Sequence, residues 1–317
     1  MDNIKPIGTG PYKLSSWNPG VDLSMRPFDD YWGAEPKFEK VTLLERPSKN
    51  ERVNMFLQGE ADFLAFVPFD AVQEVEKRAF KIRAIPSLEV QFLLFNFNSP
   101  IFQDLEKRKA FSSAIDQDAL VKEVGGYARP VSQFIANGVL GYNPDIAGHV
   151  FDINSDEVSL LDGETLQFHI PVGLDVLGEH VRTQLEKLGV SVIVSYLEWD
   201  DLTQSMENAE ADLYFLGFKS EIGDAADFFD VVVKSGADFN VGSYSNPEVD
   251  RMIANAMTSL DPTIRLSSLQ DAMKIIVEED IIGVPLFEYE TLYAMVHGID
   301  FEPRIDGFIY FDDIILE

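Results

Sequence analysis

The chain has 317 residues, enough for one large or two ordinary domains. With 46% of them hydrophobic it can bury a sizeable core and lacks the low hydropathy of disordered chains. Asp and Glu number 54 against 25 Lys and Arg, a formal charge of −29 that repels nucleic acid and anionic membranes as partners and leaves most carboxylates solvated. The absence of cysteine excludes disulfides, thiolate metal sites and cysteine nucleophiles, and no run approaches the roughly 18 apolar residues of a membrane span.

The opening Met1-Asp2-Asn3-Ile4-Lys5-Pro6 lacks the basic and apolar regions of a signal peptide. As written the chain would not be exported: either it is cytoplasmic or Met1 marks a truncation start. Gly8-Thr9-Gly10-Pro11 is a turn cluster, followed by short alternating strands over 12–17 and 22–26, separated by Asn18-Pro19-Gly20. Residues 40–46 read as a strand and 49–58 as a helix, with Ser48 as N-cap and Gly59 at the end. A strand over 61–66, a helix over 70–78 capped by Asp70, and a strongly apolar strand over 89–97 follow.

From Gln103 the pattern changes. Helices are expected over 104–115 and 117–124, the second ending at Gly125-Gly126, before an irregular stretch over 127–162. A strand over 165–172, a helix over 175–188 with Gly189 after it, and a strand over 191–197 make a βαβ unit, which implies parallel pairing. Further helices are expected over 199–207, 227–234, 247–259 and 261–278, and strands over 211–218, 284–287, 291–296 and 307–316. The 24 phenylalanines point to aromatic packing between layers. The elements form two α/β units, with the last thirty residues returning to complete the first unit's sheet. A chain that crosses more than once between lobes builds a hinge, and the cleft between lobes is a common ligand site.

Several motifs carry a family resemblance. Pro6-Ile7-Gly8-Thr9-Gly10-Pro11-Tyr12-Lys13-Leu14, Tyr31-Trp32-Gly33-Ala34-Glu35-Pro36-Lys37 and Leu57-Gln58-Gly59-Glu60-Ala61-Asp62 occur in that order. Residues 104–120 (DLEKRKAFSSAIDQDAL), Gly141-Tyr142-Asn143-Pro144-Asp145, Pro247-Glu248-Val249-Asp250, Leu260-Asp261-Pro262 and Val284-Pro285-Leu286 follow at matching places. Each is weak alone; together their order and spacing resemble the family 5 extracellular solute-binding proteins, the dipeptide, oligopeptide and nickel binders of ATP-binding-cassette (ABC) importers. The resemblance implies an α/β, two-lobed periplasmic-binding-protein-like fold of class II type, incomplete at the N-terminus. The first lobe, partial, would comprise 1–98 and 288–317 and the second 99–287. Family members carry a further N-terminal stretch, with the start of the first lobe and a small additional domain. The segment over 147–162 replaces a helix usual in the family.

The resemblance also implies function: a non-enzymatic receptor, monomeric and without cofactor or metal. It would bind a peptide or other small-molecule ligand between its lobes and deliver it to ABC permease subunits, outside the cytoplasm in the natural full-length protein. Gly217-Phe218-Lys219-Ser220-Glu221-Ile222-Gly223-Asp224 aligns with a family stretch in which an aspartate accepts the ligand's α-ammonium group and the preceding backbone pairs with an extended peptide. Glu221 falls on that aspartate position, and a carboxylate at a strand end can hold an ammonium by charge-assisted hydrogen bonds. Phe218 replaces a pocket-lining Trp and reads as either ligand contact or core. Asp224 reads as an N-cap or a ligand group. Tyr214 and residues 239–244 are further candidates for the wall.

Other chemistries find less support. His149, His169, His180 and His297 show no metal-ligand spacing. Asp152, Asn154 and Asp156 imitate a calcium loop, but Glu157 stands where that loop needs Gly and Gly163 where it needs Glu. There is no P-loop, no G-x-S-x-G and no complete dinucleotide fingerprint. Alternatives to peptide delivery are a solute-sensing domain of a transcription regulator, a binder of a nickel complex or sugar, and a hydrolase or metal enzyme.

Overall fold

The computed structural model describes residues 6–148, 150–154 and 156–317, so the opening Met1–Lys5 and His149 lie outside the described residues. In chain order the strands are β1 (Tyr12–Asn18), β2 (Asp22–Pro27), β3 (Val41–Leu44), β4 (Phe63–Ala65), β5 (Lys81–Phe95), β6 (Ala128–Pro130), β7 (Thr165–Pro171), β8 (Ser191–Leu197), β9 (Leu213–Lys219), β10 (Gly283–Met295), β11 (Ile299–Phe301) and β12 (Ile314–Leu316). Contacts divide the chain into two compact units: Met1–Ile85 with Thr291–Glu317, and Pro86–Glu290. The sequence pattern alone puts these divisions at 98/99 and 287/288. The difference arises because β5 and β10 are each one long strand that runs from one unit into the other. Glu288-Tyr289-Glu290 looked like a break between two strands. Instead Glu288 is buried and the Glu290 N–H donates to the Tyr127 carbonyl at 3.0 Å, so the ladder continues.

In the discontinuous unit, β1, β2 and β3 form an antiparallel sheet in which Trp17, Leu23 and Leu43 oppose one another across the strands. The helix Lys49–Leu57 starts where expected, with Ser48 Oγ accepting from the Glu51 N–H. Asp70 does not cap the next helix: a 3₁₀ turn over Phe69–Ala71 leads into Val72–Lys77 with no side-chain cap. β4 pairs with the end of β10 (Leu64 with Ala294), and Tyr293, Met295, Phe301 and Ile314 pack a small core with Phe63 and Phe311. The expected strand over 307–316 is mostly not one. Asp306 takes the Arg304 guanidinium and the Phe308 N–H, which turns the chain locally. Only β12 remains, paired with β11 in a separate ribbon.

The continuous unit holds the larger core. β7 and β8 run parallel across the helix Asp175–Glu186, as the βαβ pattern requires, and β9 runs parallel to β7 on the other side. β9 is antiparallel to β5 from Glu89–Lys219 to Phe95–Leu213. Asp104, Asp116, Asn246 and Asp261 cap the helices Leu105–Ala114, Gln117–Glu123, Pro247–Thr258 and Pro262–Lys274, each accepting from backbone N–H groups of the first turn. The helix expected over 227–234 begins earlier, as Ala225–Phe228, and widens into a π-type turn over Phe229–Val233. Aromatic packing follows the phenylalanine count: Phe134 stacks on Phe228 at 5.6 Å and Phe92 meets both edge-on.

β5 and β10 approach each other closely at Gly283, where an added Cβ would lie 2.0 Å from the Leu93 carbonyl oxygen. Gly283→Ala is therefore expected to destabilise the protein by about 1–3 kcal/mol through backbone displacement, read as a lower urea midpoint. An unchanged midpoint would show that the strands separate freely.

Candidate functional site

β7, β8 and β9 are parallel, so their carboxyl ends share one sheet edge, the edge at which open α/β sheets hold ligands. β9 runs out there. Leu213 to Leu216 are buried, Gly217 is exposed, and the chain turns at Ser220. The turn is tightly built: the Glu221 N–H donates to the Lys219 carbonyl at 2.9 Å and the Gly223 N–H to the Ser220 carbonyl at 3.1 Å. Leu140 brackets the far side, donating to the Gly223 carbonyl and accepting from the Ala225 N–H.

The candidate residues do not share one surface. Strand alternation places Phe218 on the face of Val90, where its ring meets Phe228 edge-on at 5.3 Å. Gly217 and Lys219 lie on the opposite face, beside Gln91 and Glu89. Tyr214, expected in the wall, is fully buried; its hydroxyl donates to the Ser205 carbonyl at 2.9 Å and accepts from the Ala211 N–H at 2.8 Å. A phenol so satisfied is a core group, and its place in the middle of a buried strand is the reason. Within 239–244, Tyr244 is likewise buried and donates to Asp280 at 2.5 Å, whereas half-buried Phe239 contacts the exposed Trp199.

Asp224 resolves the two readings left open for it. Its Oδ1 accepts from the Ala226 N–H at 2.9 Å, and its Oδ2 pairs with Arg265 at 2.7 Å. Both oxygens are engaged within the protein. Glu221 differs: it is exposed, and among the described residues its carboxylate has no hydrogen-bond or ion-pair partner. It and Asp224 add to the negative potential at Asp227, whose carboxyl is raised above the ordinary range, first by burial. Next to it, Ser220 is 1% exposed and its Oγ has no partner among the described residues.

The other face carries a polar group that sequence reasoning missed. Gln91 Nε2 donates to Glu89 Oε1 at 2.7 Å, and a Cβ at Gly217 would sit 2.4 Å from that nitrogen. Glycine at 217 thus admits the glutamine amide across β9. Burial raises the Glu89 carboxyl above its ordinary value, opposed by the Gln91 hydrogen bond and the Lys219 charge. The available signal was Glu89 and Gln91 alternating with apolar residues in an otherwise apolar strand.

A histidine–hydroxyl pair is also present: His169 Nδ1 lies 2.7 Å from Ser205 Oγ, which lies 3.2 Å from the Tyr214 hydroxyl. Burial lowers the imidazole pKa, and Ser205 is only 1% exposed, so this hydroxyl is sealed from any substrate. Among the described residues no group of three or more His, Asp or Glu side chains is placed to hold a metal ion, and no helix is long and apolar enough to cross a membrane.

Two predictions follow from this geometry. Asp224→Ala loses both the cap and the ion pair and should lower stability by about 1–2 kcal/mol, while Asp224→Asn keeps the cap and loses less, as read by urea unfolding. Glu89 is easier to protonate folded than unfolded. Its stabilising contribution is therefore complete below about pH 4.5, its ordinary value, and is lost as pH rises through the higher folded value. Against Glu89→Gln, the natural protein should lose relative stability on going from pH 4 to 7; parallel pH profiles would contradict this.

Comparison with known proteins gives consistent relatives. The family described as bacterial extracellular solute-binding proteins, family 5 middle, matches residues 2–157. The glutathione-binding protein GsiB of Pectobacterium atrosepticum is 27% identical over 290 residues, 84% of this chain and 56% of that protein. The dipeptide-binding protein of Escherichia coli is 23% identical over 257 residues, 77% of this chain and 48% of its own. The chain thus spans about half the length of the curated relatives it matches. Among solved structures, the substrate-binding protein CtaP of Listeria monocytogenes superposes with a TM-score of 0.87 at 20% identity, over 98% of this chain and 67% of that one. The periplasmic binding protein DppA of Helicobacter pylori, in complex with the peptide STSA, gives 0.76 at 21% identity, over 99% and 64%. The α/β fold is that of periplasmic binding proteins.

Proposed function

We propose, from the premise that this chain belongs to the family 5 extracellular solute-binding proteins, that it binds a peptide-like solute bearing a free amine and passes it to the permease subunits of an ABC importer. The observation that carries this reading is the Glu221 carboxylate, exposed and, among the described residues, unpaired just beyond the end of β9. Its neighbour Asp224 is neutralised by Arg265, so Glu221 is the acceptor left for an external ammonium. Such a contact is charge-assisted, and negative potential from the surrounding carboxylates adds to it. The work is done by binding. Relatives named for dipeptide and glutathione binding support a peptide-like ligand. The family description, extracellular solute-binding proteins, supports an extracytoplasmic placement, and a monomeric state suits a receptor that docks on a permease.

Titration calorimetry with a mixture of short peptides tests this. Glu221→Gln should weaken binding by roughly tenfold or more, the range of a lost charged hydrogen bond, with an unchanged melting temperature. Equal affinities would remove Glu221 from the site, and heatless titrations of both proteins would remove peptide binding from this chain.

A further inference from the structure

Asparagine followed by glycine occurs once in the chain, at Asn137-Gly138. The pair forms the corner of a tight turn in the continuous unit, closed by the Val139 N–H donating to the Ala136 carbonyl at 3.2 Å. Phe134, Ile135 and Ala136 before it and Val139 after it belong to the main core, so both ends of the turn are anchored. Asn137 and Gly138 themselves are exposed. Gly138 holds φ 107°, and an added Cβ there would meet nothing within 4 Å, so no side chain shields its nitrogen. Among the described residues neither the Asn137 side chain nor the Gly138 N–H has a hydrogen-bond partner.

Comparable pairs elsewhere are blocked. Asp162-Gly163 and Asp306-Gly307 could close the same cyclic imide, but the Gly163 N–H donates to the Gly189 carbonyl at 3.1 Å and the Gly307 N–H to the Arg304 carbonyl at 3.0 Å. The Asp306 carboxylate is held in addition by Arg304 and the Phe308 N–H. After Asn98 and Asn208 the next backbone nitrogens donate to the Asn96 and Met206 carbonyls at 3.0 and 3.1 Å. At Asn137-Gly138 the electrophile and the nucleophile are both unengaged.

We infer that Asn137 is a site of self-modification: in the folded protein it converts to aspartate and isoaspartate, with water as the only other reactant. The Gly138 backbone nitrogen attacks the Asn137 side-chain carbonyl carbon, and the new C–N bond closes a succinimide ring. The bond to the side-chain nitrogen breaks, and that nitrogen leaves as ammonia with the proton from Gly138. Water then opens the ring. Attack at the side-chain carbonyl returns a normal backbone and an aspartate. Attack at the main-chain carbonyl leaves the chain running through the side chain, which is isoaspartate. That product adds a methylene to the backbone as well as a carboxylate. The added length falls three residues before Leu140, whose N–H donates to the Gly223 carbonyl at 2.9 Å and whose carbonyl accepts from the Ala225 N–H at 2.8 Å. Ageing at Asn137 thus loosens the bracket around the turn beyond β9, whether or not Glu221 holds a ligand.

Peptide mapping by mass spectrometry after incubation of the full chain at mildly alkaline pH tests this, with electron-transfer fragmentation to separate isoaspartate from aspartate. Folded and urea-unfolded protein are compared site by site. Folding should leave the rate at Asn137 nearly unchanged, whereas at Asp162 and Asp306 it should slow isoaspartate formation by about tenfold, the factor for one amide hydrogen bond. Asn137→Ser should give no product at that position. Hydrogen exchange at Leu140 and Ala225 should be faster in the aged natural protein than in the fresh one, and unchanged by ageing in Asn137→Ser. An Asn137 protected by folding as strongly as Asp162 and Asp306 would overturn the site. Isoaspartate accumulating with unchanged exchange at Leu140 and Ala225 would overturn its link to the turn beyond β9.

Discussion

The register of β5 against β9 governs the site. Glu89 opposes Lys219 and Phe95 opposes Leu213, and every side chain between is assigned to a face by that alignment. Val90, Phe92 and Leu94 enter the main core together with Phe228 and Phe134. Glu89 and Gln91 face the other way, over Gly217. A slip of one residue would bury two polar side chains among phenylalanines and expose the phenylalanines in turn. The large aromatic cluster therefore does more than stabilise the fold, because by fixing the register it also fixes where β9 stops and where the turn at Ser220 begins.

The acidity of the chain is distributed unevenly in consequence. Asp224 is satisfied by a helix end and an arginine, Glu288 by an arginine and a backbone amide, and Asp212 by the Ser99 hydroxyl and the Gln167 N–H. Such carboxylates are structural. Asp300, held well below the usual carboxylate range chiefly by Arg83, belongs with them. Glu221 differs from these: among the described residues its carboxylate has no hydrogen-bond or ion-pair partner. A formal charge of −29 would not distinguish it; the bonding of its neighbours does.

Much of this was legible in the sequence. The helix cap at Ser48 and the βαβ unit over 165–197 follow from local rules, since a short polar side chain before an apolar period acts within one turn; the same rule fails at Asp70, which lies inside a 3₁₀ turn ahead of its helix. The stretch over 217–224 stands out by its resemblance to a family motif, and the cap reading of Asp224 follows from the apolar helical run after it, although that helix begins at Ala225 rather than at 227. The burial of Tyr214 was not legible, because it depends on what packs above β9. Nor was the continuity of β10, where the polar triplet Glu288-Tyr289-Glu290 reads as a break until Arg129 and Tyr127 arrive from elsewhere in the chain. The hydrogen bonds through Leu88 join residues about 130 to 200 apart in sequence, and no periodicity reports such a junction.

The discontinuity of the smaller unit bears on how the molecule is made. On the ribosome, β4 emerges long before its partner: Leu64 waits for Ala294, and Arg83 waits for Asp300. The continuous unit, residues 86–290, is by then complete and has all of its own core. Synthesis thus delivers a finished folding unit while the segment ahead of it still lacks the strand it pairs with. The growing chain must keep Phe63 and its neighbours from wrong partners until the last residues appear.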